Sequence, residues 1–392
     1  MNVLGMISGT SHDGLDVAIV DLHAEGDVLH GRVLHSDSVP YEPALREHLV
    51  RTLPPAELRY ADVCELDTRI GQAFAAVAAD AIAASGPVDL ICSHGQTVFH
   101  WVEGSHALGT LQLGEPAWIA ERTGVLVVSD VRARDITVGG HGAPLASLMD
   151  VLLLGGLPGT PAALNLGGIS NMTVLRAGPD GGPVAFDIGP SNALIDAAMR
   201  QLTDGAAGYD ADGRLGAAGR VDEAALADLL TEPYYRWPIP RSTGKELFNE
   251  AYLTAFQSRH PRLAGADLVA TLTKLTARTV ADAAVAAGVD TLVCSGGGCD
   301  NPTLMGMLRE SARGINVRLI SEFGAPTDTK EAICFALIGW HTFYGLPGAI
   351  PGCTGAREAR VLGGITPGAD PLRLPEPLEV APRSLHLEGA KA

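Results

Sequence analysis

A unit of strand, glycine turn and strand occurs twice in this chain, near its start and near its middle. In the first copy the apolar run Val3–Ile7 leads through the polar turn Ser8–Gly14 into an alternating strand. In the second copy Pro161–Leu166 leads through Gly167–Asn171 to a return strand at Met172–Arg176. Helical periodicity and further buried strands follow each copy. We therefore predict an α/β fold made of two related halves with a cleft between them.

The length and composition agree with more than one domain. The chain has 392 residues, of which 46% are hydrophobic and 19% are charged, so large buried cores can form. We expect an N-terminal lobe over residues 1–140 and a second lobe over residues 141–344. In this division, the segment from about 345 to 392 could pack against the first lobe. The stretch from Pro367 onward is rich in proline and charge, which predicts a surface strap.

Charge and apolar patterning argue against several classes of protein. The formal net charge is −17, whereas a nucleic-acid surface needs clustered Lys and Arg. No apolar run reaches the 18 or so residues of a membrane helix, and the first residues lack the pattern of a signal peptide. The six cysteines include no C-x-x-C pair, so we expect reduced thiols. The expectation is a cytoplasmic protein without nucleic-acid or membrane partners.

The first glycine turn has the composition of a phosphate-binding loop. Gly9 and Gly14 allow backbone N–H groups to converge on one point, and the hydroxyls of Thr10 and Ser11 add donors. The Asp13 carboxylate could hold Mg²⁺ directly or through water. The alternative is an ordinary polar hairpin turn, since Gly, Ser and Asp are common in turns.

Asp187 is the strongest candidate for a general base. It closes an apolar strand, and Gly189–Ser191 then opens a helix for which we expect Ser191 as the N-cap. A carboxylate at the carboxyl end of a strand lies where open α/β sheets bind ligands. The alternative is an Asp that only accepts hydrogen bonds from its own turn.

A glycine-rich turn in the second half is a candidate nucleoside contact. Gly296–Gly298 follow a buried strand and precede a helix from Pro302, for which Asp300 or Asn301 is the expected N-cap. Three successive glycines let the backbone approach the flat ring of a nucleoside. The alternative is a flexible turn without a ligand.

Polar side chains near other glycine turns are candidate sugar contacts. His94, Gln96 and Thr97 lie together after a buried strand, and polar groups packed in this way suit the hydroxyls of a sugar. Arg132 and Arg134 could bind a substrate carboxylate through paired hydrogen bonds. Surface ion pairing is the alternative for both arginines.

Ordered strings of residues extend along nearly the whole chain. They are Met6–Ser11 with Asp13, Gly14 and Asp16; Ser93–Thr97; Asp135 with Gly139–Leu145; Asn165–Asn171; Phe186–Pro190; Ser242–Glu246 with Phe248 and Asn249; Ala270–Thr273; Lys330–Ala332 with Phe335 and Ala336; and Thr354–Ala356. Together they resemble the anhydro-N-acetylmuramic acid kinase family from Gly5 to about Gly364. Two positions depart from its pattern. His141 stands where the family usually has Gln, which could alter sugar contacts. Arg241 stands where Lys is usual, which keeps the charge but not the geometry.

The resemblance implies a two-lobed actin-like ATPase fold, which is a duplicated ribonuclease H-like fold with an inter-lobe cleft, and a homodimer. It implies a kinase that uses ATP and Mg²⁺, opens 1,6-anhydro-N-acetylmuramic acid with water and phosphorylates O6, giving N-acetylmuramate 6-phosphate in peptidoglycan recycling. Asp187 would take a proton from the attacking water. The residues that it assigns to ATP are Gly9, Thr10, Ser11, His12, Asp13, Gly14, Asp16, Asn165, Gly167, Gly168, Gly296, Gly297 and Gly298, with Asp13 also near the metal. Those that it assigns to the sugar are His94, Gln96, Thr97, Asn192 and Glu331.

Two other functions stay open at the level of sequence. A kinase of another anhydro sugar, such as levoglucosan, would carry similar motifs; levoglucosan lacks the lactyl carboxylate and the N-acetyl group of the muramic sugar. An ATP-gated chaperone or filament protein could use the same fold. The sequence argues against this second alternative, because no stretch has the pattern of a peptide-binding β-domain or of a long helical lid after the ATPase lobes.

Overall fold

Strands and helices alternate along the chain, as the sequence pattern predicts. The computed structural model describes residues 1–9, 11–104, 106–176, 178, 181–244, 246–327 and 329–389. The strands are β1 (Asn2–Ser8), β2 (Gly14–Glu25), β3 (Val28–Pro40), β4 (Leu90–Glu103), β5 (His106–Leu113), β6 (Val127–Ser129), β7 (Pro161–Leu166), β8 (Ile169–Val174), β9 (Val184–Pro190), β10 (Thr291–Ser295), β11 (Asn316–Leu319), β12 (Gly364–Thr366) and β13 (Ser384–Glu388). The helices are α1 (Pro43–Thr52), α2 (Tyr60–Ser85), α3 (Pro116–Thr123), α4 (Ala133–Ile136), α5 (Ser147–Leu154), α6 (Ala193–Leu202), α7 (Arg214–Ala218), α8 (Glu223–Leu229), α9 (Glu250–Arg259), α10 (Gly265–Ala286), α11 (Pro302–Ser311), α12 (Lys330–Phe343) and α13 (Pro351–Thr354).

Both predicted glycine-turn hairpins are present, and each starts a sheet of the same layout. β1 pairs antiparallel with β2 and β2 with β3, while β4 and then β6 continue the sheet parallel to β1. In the second sheet β7, β8 and β9 form the antiparallel meander, and β10 and β11 continue it parallel to β7. The repeated order of three antiparallel and two parallel strands is the ribonuclease H-like topology. The expected α/β fold with two ribonuclease H-like halves is therefore confirmed.

The chain divides into two compact units with one sheet each. Unit 1 comprises Met1–Gly156 and the chain from Phe323 onward, and unit 2 comprises Leu157–Glu322. The sequence boundaries near 140 and 344 differ from this division because α5 and α12 pack within unit 1. Helix α12 lies against β1 at Gly5, where a Cβ atom would overlap the backbone of Ala332 and Ala336. A glycine in the strand is what allows the helix to approach this closely.

Each sheet is covered by an alanine-rich helix that buries its apolar face. In unit 1, Phe74 and Ala78 of α2 pack with Leu4 of β1 in one hydrophobic cluster. In unit 2, Ala281 of α10 lies in a cluster with Leu292 of β10. Small side chains at such positions shorten the distance between helix and sheet. No helix within the described ranges is long and apolar enough to cross a membrane.

The segment after Pro367 is not only a surface strap, because it ends in a strand of the unit 1 sheet. β13 pairs parallel with β3, with Leu385 opposite Leu29, and the Leu385 side chain is buried. Just before this segment, β12 pairs antiparallel with β6. The alternation of Leu385, His386 and Leu387 is the strand signal that the proline-rich composition obscured.

Candidate active site

The first glycine turn connects β1 to β2 and is ordered by its own polar groups. The backbone N–H of His12 donates to the Gly9 carbonyl at 3.2 Å, and His12 adopts a left-handed conformation with φ of 54°. The Ser11 hydroxyl donates to Asp13 Oδ1 at 2.6 Å, while Asp13 itself is exposed. Asp16, further along β2, accepts from the Ser38 hydroxyl at 2.5 Å. The predicted phosphate contact Thr10 lies outside the described residues.

Gln96 supports this turn from the neighbouring strand β4. Its Nε2 donates to the Gly9 carbonyl at 3.1 Å, and the Ser8 hydroxyl donates to its Oε1 at 2.7 Å. The Tyr41 hydroxyl reaches the same Oε1 at 3.3 Å. Gln96 is fully buried. The structure therefore gives Gln96 a place behind the turn, which differs from the sugar-contacting place that the sequence suggested.

His94 is a buried member of a hydrogen-bonded chain. Arg132 Nε donates to His94 Nε2 at 2.7 Å, and the other ring nitrogen of His94 lies 2.9 Å from the Gly95 carbonyl. Burial and the positive charge of Arg132 lower the pKa of His94 well below its ordinary value, so the ring is neutral and Nε2 can accept. This arrangement uses His94 to orient Arg132, and it differs from the direct sugar contact expected for the histidine.

Arg132 also holds the glycine loop at residues 139–145. Its Nη1 donates to the Gly142 carbonyl at 2.6 Å, and the buried Asp135 accepts the Gly142 N–H at 2.8 Å. Asp135 also accepts from the Thr354 hydroxyl at 2.9 Å, which ties the loop to α13. His141 thus lies on a loop that Arg132 and Asp135 hold at Gly142 and that Asp135 connects to Thr354. The role of Arg132 in fixing it was not predicted, although Asp135 and Thr354 both belong to the family strings.

The other two sugar candidates of unit 1 lie nearer solvent. Thr97 is half-buried, and its hydroxyl accepts from Gln112 Nε2 at 3.0 Å. Glu331 is exposed in the first turn of α12. Burial lowers the pKa of the Arg132 guanidinium, and the negative charge of Glu331 opposes that shift. Glu331 therefore lies within electrostatic reach of Arg132.

In unit 2 the two predicted nucleotide loops are neighbours, because they follow the adjacent parallel strands β7 and β10. Ser295 is paired with Asn165 at the end of these strands. Gly296 has φ of 86°, and a Cβ atom there would lie 2.5 Å from Asn165 Oδ1. A Cβ atom at Gly298 would lie 2.6 Å from that of Leu166. Only glycine fits this close approach of the two loops.

Four other predicted residues complete this pair of loops. Asn192 contacts the first of these loops. Its Nδ2 donates to the Leu166 carbonyl at 3.1 Å, and its backbone N–H donates to the Gly167 carbonyl at 3.1 Å. The Gly168 carbonyl accepts the N–H of Ser191 at 3.0 Å. Gly297 has open space around it. Asn192 was expected at the sugar, but the structure places it beside the two nucleotide loops.

Asp187 lies in the middle of β9, not at its end. The strand continues to Pro190 because Gly189 and Pro190 pair with β8. Helix α6 then starts at Ala193 with Asn192 at the N-cap position, so the expected Ser191 cap is wrong. The Asn301 cap of α11 is confirmed, with its side chain accepting the Leu304 N–H at 2.9 Å.

The carboxylate of Asp187 is held from one side. The Ser242 hydroxyl donates to Oδ2 at 2.8 Å and the Thr243 N–H donates to the same oxygen at 3.0 Å. Burial raises the pKa of the Asp187 carboxyl group above its ordinary value. The hydrogen bonds from Thr243 and Ser242 partly offset this shift, and the negative charge of Glu246 adds to it. Oδ1 has no hydrogen-bond partner among the described residues, so it can accept a proton from a water or a substrate group.

The hairpin carries one exposed carboxylate, that of Asp13, which is a candidate ligand for Mg²⁺ carried by a nucleotide. Among the residues that the structure describes, no group of three or more His, Cys, Asp or Glu side chains is arranged around a metal position. Mg²⁺ with a nucleotide needs only one or two protein carboxylates, because phosphates and water supply the remaining ligands. The exposed Asp13 fits that requirement.

Two solved structures are similar to this chain only at a low level. Component A of (R)-2-hydroxyglutaryl-CoA dehydratase from Acidaminococcus fermentans is 13% identical, with a TM-score of 0.43 over 86% of this chain and 96% of that chain. A ROK family glucokinase from Streptomyces griseus, in complex with glucose and AMPPNP, is 14% identical, with a TM-score of 0.34 over 86% of this chain and 98% of that chain. Because both TM-scores lie below 0.5, neither structure bears on the assignment.

Similarity to known sequences extends over the full length. A protein named anhydro-N-acetylmuramic acid kinase from Streptomyces coelicolor is 53% identical over 391 residues, 99% of this chain and 100% of that protein. Another of the same name from Rhodococcus erythropolis is 51% identical over 395 residues, with the same two coverages. The family model for anhydro-N-acetylmuramic acid kinase matches residues 1–368. The chain therefore belongs to the anhydro-N-acetylmuramic acid kinase family.

Proposed function

We propose that the chain is an ATP-dependent kinase that opens 1,6-anhydro-N-acetylmuramic acid with water and phosphorylates O6, giving N-acetylmuramate 6-phosphate in peptidoglycan recycling. Membership of the family supports the reaction class. The observation that carries the chemistry is the Asp187 carboxylate. Two donors hold its Oδ2, Oδ1 is open among the described residues, and burial raises its pKa toward the range in which a general base is most effective.

The reaction starts with the removal of a proton from water. Asp187 Oδ1 takes this proton while the water oxygen bonds to the anomeric carbon. The bond from that carbon to the bridging oxygen breaks, and its electron pair stays on O6. O6 then attacks the γ-phosphorus of ATP, the bond to the β,γ-bridging oxygen breaks, and ADP leaves. Because water enters opposite the leaving bridge, the geometry is that of an inverting glycosidase.

We assign the ATP phosphates to the turn Gly9–Asp16. A second set of nucleotide contacts comes from Asn165, Gly167 and Gly168 and from the turn Gly296–Gly298. The support is local: each is a glycine turn at the end of a strand, with backbone N–H groups that can bind phosphate or approach a ring. Mg²⁺, held near Asp13, would neutralise charge on the phosphates.

For the sugar we keep Thr97 and Glu331 as direct contacts. We assign His94 and Gln96 to the support of the loops around the sugar and the phosphates, since both are buried and bonded within unit 1. We assign Asn192 to the nucleotide loops, because its side chain donates to the Leu166 carbonyl. The proposal also includes a cytoplasmic homodimer, for which light scattering of the purified protein is the test.

The reaction is tested by mass spectrometry of the product made in ¹⁸O-water with ATP and the anhydro muramic sugar. We expect the label on the anomeric hydroxyl and the phosphate on O6. Levoglucosan serves as the matched second substrate, because it lacks the lactyl and N-acetyl groups. Phosphorylation without the label in the sugar, or faster turnover of levoglucosan, would contradict the proposal.

The base is tested by Asp187→Asn. We expect kcat to fall by about 10²–10⁴-fold, as is usual when a general base is removed. Binding of ATP should stay nearly unchanged, which calorimetry can measure. An Asp187→Asn enzyme with most of its activity would show that another group takes the proton.

A further inference from the structure

The backbone of Asp187 is held by a segment that lies about 50 residues later in the chain. The Tyr234 hydroxyl donates to the Asp187 carbonyl at 2.8 Å, and Arg241 Nε donates to the same oxygen at 3.3 Å. In return the Asp187 N–H donates to the Arg241 carbonyl at 2.9 Å. We call residues 234–243 the clamp segment, because it contacts Asp187 through both backbone and side chain.

Arg241 joins the two ends of the clamp segment. Its Nη1 lies within hydrogen-bond distance of three carbonyls, at 2.7 Å from Tyr235, 3.0 Å from Trp237 and 3.2 Å from Tyr234. Its guanidinium carbon is 5.0 Å from the centre of the Tyr234 ring, which adds a cation–π contact. The guanidinium therefore fixes the turn at residues 234–237 relative to the strand that carries Asp187.

The first end of the clamp segment is anchored in the core. Tyr234 is buried, and its ring lies against Trp237 and Phe248 at centroid distances of 5.3 and 6.1 Å. Such an aromatic cluster holds the turn in one position. The guanidinium of Arg241 thus bonds to a rigid partner.

The other end of the clamp segment carries the two donors to the carboxylate. Ser242 and Thr243 follow Arg241 directly, and both bond to Asp187 Oδ2. A displacement of Arg241 would therefore move both donors together. The direction in which Oδ1 points depends on these two bonds.

We propose that Arg241 is a positioning residue for the catalytic base, through which the aromatic turn sets the orientation of the Asp187 carboxylate. The inference rests on the proposed function, in which Asp187 takes the proton. Arg241 itself touches no reacting atom in this scheme. Its effect is exerted through the backbone of Asp187 and through Ser242 and Thr243.

The proposal predicts a change in the pH profile as well as in the rate. Within the described part of the chain, the charged or titratable groups that face Asp187 are Glu246, Tyr234 and Arg241. The bonds from Ser242 and Thr243 stabilise the ionised carboxylate, so loosening them raises the pKa of Asp187. The base must be ionised to act. The acid limb of the kcat profile should therefore move to higher pH when the clamp is loosened.

The experiment compares Arg241→Met with Arg236→Met in the full chain. Arg236 lies in the same turn, and its side chain is exposed, so its replacement changes the charge equally without touching Asp187. For Arg241→Met we expect kcat to fall about 10–100-fold, as for a small misplacement of a catalytic group, and the acid limb to shift upward. The KM for ATP should stay within about 2-fold. Arg236→Met should match the unsubstituted enzyme.

Two further variants keep the test decisive if Arg241→Met folds poorly. Arg241→Lys retains the charge but not the planar set of donors, so its rate and pH profile should lie between those of Arg241→Met and those of the unsubstituted enzyme. Tyr234→Phe removes only the hydroxyl on the Asp187 carbonyl, so it should show a smaller shift in the same direction. A normal acid limb in both Arg241→Met and Tyr234→Phe would overturn the proposal, even if stability were lower.

Asp187→Asn is measured beside them to separate this inference from the proposed function. If Asp187→Asn stays active, Asp187 is not the base, and both the proposed mechanism and the role of Arg241 are refuted. If Asp187→Asn is inactive while the profiles of the clamp variants are unchanged, only the role of Arg241 is refuted.

Discussion

The acidity of the Asp187 carboxyl group depends on a few neighbours, and one of them can be changed without touching the base. Glu246 is exposed, and its negative charge raises the pKa of Asp187. Replacing it by Gln should lower that pKa, so the acid limb of the kcat profile should move to lower pH. The shift should be small, because solvent screens the charge of an exposed side chain. A pH series of initial rates measures it, with Glu250→Gln in the nearby helix α9 as the control.

Gln96 is a second single residue with a measurable role. Its replacement by Leu removes the donor to the Gly9 carbonyl and one acceptor shared by the Ser8 and Tyr41 hydroxyls, while Ser8 keeps the Gly14 carbonyl as an acceptor. We expect a loss of about 1–3 kcal/mol of stability from the hydrogen bonds that this buried cluster loses. A phosphate turn that has lost its support should also bind ATP more weakly. Urea titration and calorimetry check both results.

The control for Gln96→Leu is Gln112→Leu on β5. Gln112 is only half-buried and bonds to Thr97 and Thr110, away from the turn. Equal ATP affinities for the two variants would contradict a specific role of Gln96 at the turn.

At the scale of elements, the contact between β1 and α12 depends on a missing side chain. A Cβ atom at Gly5 would overlap backbone atoms of α12, and these cannot rotate away as a side chain can. Gly5→Ala should therefore lower the free energy of unfolding by about 1–3 kcal/mol or more, through displacement of the helix. Gly109→Ala in β5 is the matched control, since its nearest atom would be 3.6 Å away on Trp101. Similar unfolding curves for the two variants would argue against this packing.

The same contact explains why the unit boundary could not be located from composition. Helix α12 follows the second half of the chain in sequence, yet its apolar residues Ile333 and Leu337 are fully buried in unit 1. An apolar helix can cover either sheet on the grounds of hydrophobicity alone. The fit of its backbone against Gly5 decides which sheet it covers.

At the scale of the whole molecule, buried neutral histidines make stability depend on pH. His341 is buried, with Nδ1 2.7 Å from the Pro347 carbonyl, and burial lowers its pKa to about 4. In the unfolded chain it would titrate near its ordinary value, about 6.5. Between these values the unfolded state binds a proton that the folded state excludes, so stability is full above about pH 6.5 and falls as the pH is lowered toward 4. The loss is about 3 kcal/mol for His341.

This prediction is checked by denaturant titrations from pH 7 to pH 4. His341→Gln should flatten the dependence, while His386→Gln, which changes an exposed side chain, should leave it unchanged. His94 contributes in the same direction, because its pKa is also lowered by burial. A dependence that is equally steep in His341→Gln would contradict the assignment.

Features that are encoded over short distances can be predicted from the amino-acid sequence. The two glycine-turn hairpins, the cap of α11 at Asp300 or Asn301 and the α/β class follow from turn residues and apolar periodicity within about 20 residues. The choice of Asp187 as the candidate base also came from its motif. Its role stays a prediction until the variants are measured.

Contacts between groups that are distant in the chain become visible only in the folded protein. Gln96 bonds to Gly9, Arg132 to His94 and Arg241 to Asp187, over separations of 87, 38 and 54 residues. Each pairing depends on the register of neighbouring strands and on burial, which removes water as a competing partner for the polar groups. Local pattern carries no information on either, because a glutamine or an arginine looks the same in sequence whether it binds a ligand or supports the residue that does.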